Sequence, residues 1–82
     1  MNKTDKKVAI VTGSATGVGA AAAILLAERG CNVVVNYTRS KAEAEETARA
    51  CEAHGAETIV FQGDVGEETA CQGMARAAVD KW

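Results

Sequence analysis

The sequence predicts an α/β fold: the first half of a doubly wound parallel sheet, with three strands in the order 3-2-1 and helices between and after them. Three observations lead there. Lys7–Thr12, Asn32–Tyr37 and Thr58–Gln62 are short, β-branched and apolar without polar alternation, the pattern of strands buried on both faces of a parallel sheet. Helical stretches separate the three runs, and a third closes the chain. The resulting order β-α-β-α-β-α calls for right-handed crossovers between parallel neighbours. Residues 1–82 are expected to make one small domain, near the lower size limit for a chain that folds alone.

The helices carry their own signals. Val18–Arg29 is almost wholly apolar, which predicts a helix packed over most of its circumference. Glu28-Arg29-Gly30 marks its end, with Gly30 at the C′ position. Ser40-Lys41-Ala42-Glu43 reads as a capping box that opens the second helix. Ala44, Thr47, Ala48 and Cys51 recur at helical spacing and should face the sheet, with Glu45, Glu46 and Arg49 toward water. His54-Gly55 ends that helix. The third runs from about Glu67 to Lys81, with acidic residues in the first turn, where the helix dipole favours them. Its apolar stripe is Ala70, Met74, Ala77 and Ala78, and Gly73 weakens it by about 1 kcal/mol relative to Ala.

Composition narrows the classes. A chain 48% hydrophobic, 24% charged and 4% aromatic is that of an ordinary globular domain. A net charge of −2 gives no electrostatic reason to expect nucleic acid or a membrane surface as partner. The basic start Met1–Lys7 is followed by Val8–Val11, too short for a signal core or a membrane span. Cys31, Cys51 and Cys71 match no zinc or redox spacing, so no metal site is expected. They are read as reduced, buried small hydrophobes, which makes the cytoplasm the expected location. His54 is read as structural.

The chemistry sits in Thr12-Gly13-Ser14-Ala15-Thr16-Gly17-Val18-Gly19, directly after a strand and opening a helix. Gly13 permits a sharp strand-to-helix turn, Gly17 removes a side chain where a pyrophosphate approaches, and Gly19 lets the helix lie close to the strand. The helix N-terminus offers free N–H groups and a partial positive charge to phosphates. Glycines at such places also serve plain tight turns. Read as a phosphate-binding turn, the stretch has the spacing Gly-x-x-x-Gly-x-Gly rather than the general Gly-x-Gly-x-x-Gly.

With that spacing the sequence resembles the short-chain dehydrogenase/reductases, whose motif is Thr-Gly-x-x-x-Gly-Ile-Gly. Thr12, Gly13, Gly17 and Gly19 match, and Val18 takes the Ile place. Asn36-Tyr37-Thr38-Arg39-Ser40 at the end of strand two is similar to the 3-oxoacyl-carrier-protein reductases and related NADP-dependent members. Asp64-Val65, past strand three, falls where that family contacts the adenine ring. The resemblance runs from Lys7 to Trp82. It implies cofactor-binding roles for Gly13, Ser14, Thr16, Gly17, Val18, Gly19, Tyr37, Arg39, Ser40, Asp64 and Val65. Asp64 also reads as a turn residue leading into the third helix, and the two roles are compatible.

NADP is the expected cofactor. An NAD enzyme places a carboxylate at the end of strand two for the ribose 2′-hydroxyl. Here Tyr37 stands in that place and no acid lies between Asn36 and Ser40. Arg39 offers donors suited to a 2′-phosphate, and Ser40 adds a hydroxyl. Arg39 also reads as a solvated loop charge, and Thr16 stands where many NADP-preferring relatives carry a basic residue.

Catalysis in the family runs on an Asn-Asn-Ala-Gly segment, a Ser and a Tyr-x-x-x-Lys pair. The only tyrosine, Tyr37, is taken into the cofactor site, so no residue here is expected to be catalytic, and the chain is expected to be inactive alone. The implied function is the NADP-binding N-terminal portion of a reductase acting on a carbonyl or an alcohol, with the small-molecule substrate met only by the full-length parent. Half of a split or nicked enzyme and a non-enzymatic nucleotide-binding module are the alternatives. Strand one, apolar on both faces and without its far neighbour, is expected to pair with a second copy or with a C-terminal half.

Overall fold

A computed structural model describes residues 7–14, 17–64 and 66–82. Six elements follow one another: β1 (Val8–Val11), α1 (Gly17–Glu28), β2 (Asn32–Tyr37), α2 (Lys41–Glu52), β3 (Thr58–Gln62) and α3 (Glu68–Lys81). The strands form one parallel sheet in the order β1-β2-β3, as the apolar runs and intervening helices predict. The register sets Val8 opposite Asn32 and Val11 opposite Val35, then Val33 opposite Thr58 and Tyr37 opposite Gln62. β2 is central, and all six of its residues are buried.

The period-two alternation of β2 splits the core into two layers. Val33, Val35 and Tyr37 join Ala23 and Ala27 of α1 and Ala44, Ala48 and Cys51 of α2 on one face. Val34 joins Met74, Ala78 and Trp82 on the other, with Val8, Ile59 and Phe61 packed against them. Thus α3 crosses to the face opposite the first two helices. Alanines at the α1, α2 and β2 contacts let these backbones approach closely, which is how 82 residues fit two layers of helix around one sheet.

The helix boundaries follow the sequence signals, with some differences in detail. Gly30 takes φ +91°, its N–H donates to the Ala27 carbonyl (3.0 Å), and the Cys31 N–H donates to the Leu26 carbonyl (3.0 Å). That pair of bonds is a Schellman end. Ser40 stands at the N-cap of α2, but its side chain makes no capping bond: with ψ at 68° it is not in the extended geometry a capping hydroxyl needs. The predicted sheet-facing residues of α2, Ala44, Thr47, Ala48 and Cys51, are all buried. Helix α1 is covered on one side only. Ala23 and Ala27 are buried, whereas Val18 is 87% and Leu25 48% exposed, because no described element lies against that side.

Two residues show how α3 is seated on the sheet. Trp82, the C-cap of α3, is buried at 4% exposure, and its Nε1–H donates to Glu57 Oε1 (3.3 Å). The Lys81 ammonium lies 5.6 Å from the indole centroid and donates to the Thr58 carbonyl (3.1 Å), so the helix end is fastened to the start of β3. Gly73 is more than a weak point, since a β-carbon there would sit 2.9 Å from Phe61 Cζ. The glycine lets α3 settle onto the Phe61 ring.

Of the cysteines only Cys51 is buried, and burial together with the neighbouring Glu52 carboxylate pushes its thiol pKa up, leaving it an inert core group. Cys31 is half-buried. Cys71, in the first turn of α3, is exposed.

Candidate functional site: the turns at the C-terminal ends of the strands

Parallel strands bring the turns after β1, β2 and β3 to one end of the sheet, where open α/β folds bind ligands. The first turn has the backbone its glycines predict. Gly13 has φ +60° and Gly17 φ +61°, the left-handed region that disfavours side chains. At Gly17 a β-carbon would meet no atom within 4 Å, so the turn is open there. At Gly19 a β-carbon would fall 2.2 Å from the Gly13 carbonyl oxygen and 3.0 Å from the Ser14 Cα. Only glycine lets the first turn of α1 lie this close to the loop. Val18, beside it, is fully presented to solvent.

Ser14 is completely buried, and its hydroxyl oxygen accepts the Asn36 N–H (2.9 Å) while its own N–H donates to the Asn36 carbonyl (3.0 Å). Its side chain therefore braces the loop. Of the second turn, Arg39 is exposed, Ser40 is half-buried, and Tyr37 is 8% exposed within the α1 and α2 layer. In the third turn Asp64 Oδ1 accepts the Gly66 N–H (2.8 Å) and its carbonyl accepts the Glu67 N–H (2.9 Å). Asp64 is thus a turn residue leading into α3, and it stays exposed at the end of the sheet. Thr16 and Val65 lie outside the described residues.

Asn36 is the residue that sequence reasoning passes over. It is 2% exposed, yet its amide Oδ1 accepts the Gly13 N–H (3.0 Å), and Nδ2 donates to the carbonyls of Gly63 (3.0 Å) and Phe61 (3.3 Å). The signal was available: a strand reading Asn-Val-Val-Val-Asn-Tyr, buried on both faces, must satisfy its polar side chains internally. Asn32 shows the same rule at the other end of β2, where its Oδ1 accepts the Glu57 N–H (3.0 Å).

The first turn decides the family together with the sequence match it anchors, for residues 7–82 match the short chain dehydrogenase family. The chain belongs to the short-chain dehydrogenases. It is 45% identical over 74 residues to the short-chain dehydrogenase/reductase homolog YusS of Bacillus subtilis, covering 90% of this chain and 68% of that protein. It is 47% identical over 78 residues to versicolorin reductase 1 of Dothistroma septosporum, covering 95% of this chain and 30% of that enzyme. Among solved structures, a short-chain dehydrogenase/reductase from Burkholderia xenovorans superposes with TM-score 0.92 at 29% identity, covering 98% of this chain and 33% of the other. A dehydrogenase from Burkholderia cenocepacia with bound NADP superposes with TM-score 0.85 at 35% identity, covering 93% and 30%. Apart from the Bacillus homolog, these relatives are matched over about a third of their length. Short-chain dehydrogenases are oxidoreductases that use NAD or NADP.

One spacing in this short-chain dehydrogenase resembles the family's catalytic pair. Tyr37-Thr38-Arg39-Ser40-Lys41 does have the Tyr-x-x-x-Lys spacing. Residues four apart become neighbours about 5–6 Å apart when both lie on one helix. Here Tyr37 ends β2 with its ring in the core, while Lys41 opens α2 and is exposed. Helix geometry therefore does not pair them. Among the described residues no group of His, Cys, Asp and Glu could hold a metal ion, and no helix is long and apolar enough to cross a membrane. His54 Nε2 lies 4.0 Å from Glu28 Oε1, across the ends of α1 and α2 and away from the site.

Proposed function

We propose that residues 1–82 form a truncated, Rossmann-type NADP-binding domain, the N-terminal portion of a short-chain dehydrogenase/reductase that reduces a carbonyl or oxidises an alcohol. The cofactor supplies or takes the hydride when bound. Gly13, Ser14, Thr16, Gly17, Val18 and Gly19 are assigned to the pyrophosphate, Tyr37, Arg39 and Ser40 to the 2′-phosphorylated ribose, and Asp64 and Val65 to the adenine. The observation that carries the cofactor choice is the second turn: Arg39 is exposed there, and no carboxylate stands between Asn36 and Ser40. The NADP-bound relative from Burkholderia cenocepacia supports the same choice. Arg39→Ala should weaken NADPH binding by about 1.5–3 kcal/mol, as for a lost hydrogen bond to a charged group, and leave NADH binding nearly unchanged. Equal losses in the two titrations would overturn the assignment.

The chain alone should turn over no substrate. Tyr37 is held in the core, so no positioned acid is at hand to protonate a product oxygen. Purified chain should oxidise NADPH with any carbonyl compound no faster than buffer does. Activity that follows this chain through gel filtration would show that it carries its own acid.

The open edge of β1 favours a second reading, in which this chain works with a C-terminal half or a second copy joined there. Three cysteines at no zinc or redox spacing are in keeping with a reducing, cytoplasmic setting.

A further inference from the structure

The turns after β1 and β3 are not neighbours in the sheet, since β2 lies between them. Backbone pairing between β1 and β3 therefore cannot fix their separation. One side chain spans the gap. Asn36 touches the β1 turn through Gly13 and through both the N–H and the hydroxyl of Ser14, and it touches the β3 turn through the carbonyls of Gly63 and Phe61. We propose that Asn36 is a positioning residue that couples the phosphate-binding turn to the Gly63–Asp64 turn, so that a dinucleotide spanning both meets them at a fixed separation. This rests on the NADP-binding reading.

The chemistry of the contact selects the amide. An acceptor must face the Gly13 N–H while donors face two carbonyls, and a planar carboxamide of this length presents both. A carboxylate at this position would keep the Gly13 bond and set a negative oxygen against the Phe61 and Gly63 carbonyls. An aliphatic side chain would take this partner from the part-buried Gly13 N–H on one turn and from the Gly63 carbonyl on the other.

A brace that merely stabilises the fold would lower the affinity of every ligand by the same factor. A coupler penalises the ligands that reach both turns. In the full chain, Asn36→Ala should cost NADPH and 2′-phospho-ADP-ribose about tenfold in affinity, the size expected for one lost hydrogen bond at each of the two turns. Adenosine 2′-monophosphate lacks the pyrophosphate and reaches only the second and third turns, so it should lose less than about threefold, within the range of one minor contact. Equal factors for the three ligands would refute the coupling, as would no loss at all. Wild-type chain that binds no NADPH would overturn both the coupling and the function it rests on, whereas wild-type binding with equal losses would overturn the coupling alone. Should Asn36→Ala not fold, the wild-type chain carries the test: adenosine 2′-monophosphate should shift the Gly13 amide and Asn36 Nδ2 resonances in a ¹⁵N-resolved spectrum. A Gly13 amide unmoved at saturation would overturn the proposal.

Discussion

Gly19→Ala should disable both the fold and the cofactor loop, and Gly17→Val should disable the loop alone. The two glycines stand two residues apart but meet different surroundings. The β-carbon of an alanine at position 19 would press to 2.2 Å from the Gly13 carbonyl oxygen, backbone against backbone, where no flexible side chain can yield. Either α1 lifts from β1 or the Gly13 turn reshapes, and overpacking of this kind costs about 3 kcal/mol or more. For a small domain that is a large share of the total stability. At Gly17 the space is empty, and the penalty is the left-handed backbone at φ +61°, about 1–2 kcal/mol for a residue with a side chain. The valine would then stand where the pyrophosphate approaches. Thermal unfolding followed by circular dichroism should show a large drop in midpoint for Gly19→Ala and a modest one for Gly17→Val. NADPH titration should show binding lost in both. A Gly17→Val chain that keeps wild-type affinity would reduce this loop to a plain turn.

The glycine spacing is also where the sequence was most legible, because each glycine answers a local backbone demand that neighbouring residues announce. The strands were legible for a similar reason: β2 is buried on both faces, so it cannot alternate, and its sequence shows this. Packing over longer distances was harder to see. Nothing local in Val18–Arg29 says that Val18 and Leu25 lack a neighbour, since an apolar helix reads alike whether or not its second side is covered. The fate of Trp82 depended on Glu57 and Thr58, some twenty-five residues away, and a helical stripe says nothing of what lies beneath its last residue. At Ser40 the residue type predicted a cap, but the chain leaves β2 with a backbone angle that does not form one. Asn36 was hidden for another reason. Its polar character was plain, but which two turns it joins depends on the sheet order and on where each strand stops.

Strand β1 should make the isolated chain self-associate. In a parallel ladder, each residue sends both its N–H and its C=O to the same side, and successive residues alternate. The Asn32 N–H donates to the Lys7 carbonyl (2.8 Å), which turns Lys7, Ala9 and Val11 toward β2 and leaves the N–H and C=O of Val8 and Ile10 facing the open edge. The side chains there do not protect it: Ile10 is 43% exposed, and the strand holds neither a charge nor a proline. Such an edge recruits another strand. Across a twofold axis two β1 strands would pair antiparallel into one six-stranded sheet. Sedimentation velocity at low micromolar concentration should therefore show dimers or larger species, with the Val8 and Ile10 amides protected from exchange in the associated form only. Ile10→Pro removes an outward N–H without touching the β2 ladder, a place where an edge strand tolerates proline, and should shift the chain to monomer with its fold intact. A wild-type chain that stays monomeric with the Val8 and Ile10 amides already protected would show that another part of the chain covers the edge.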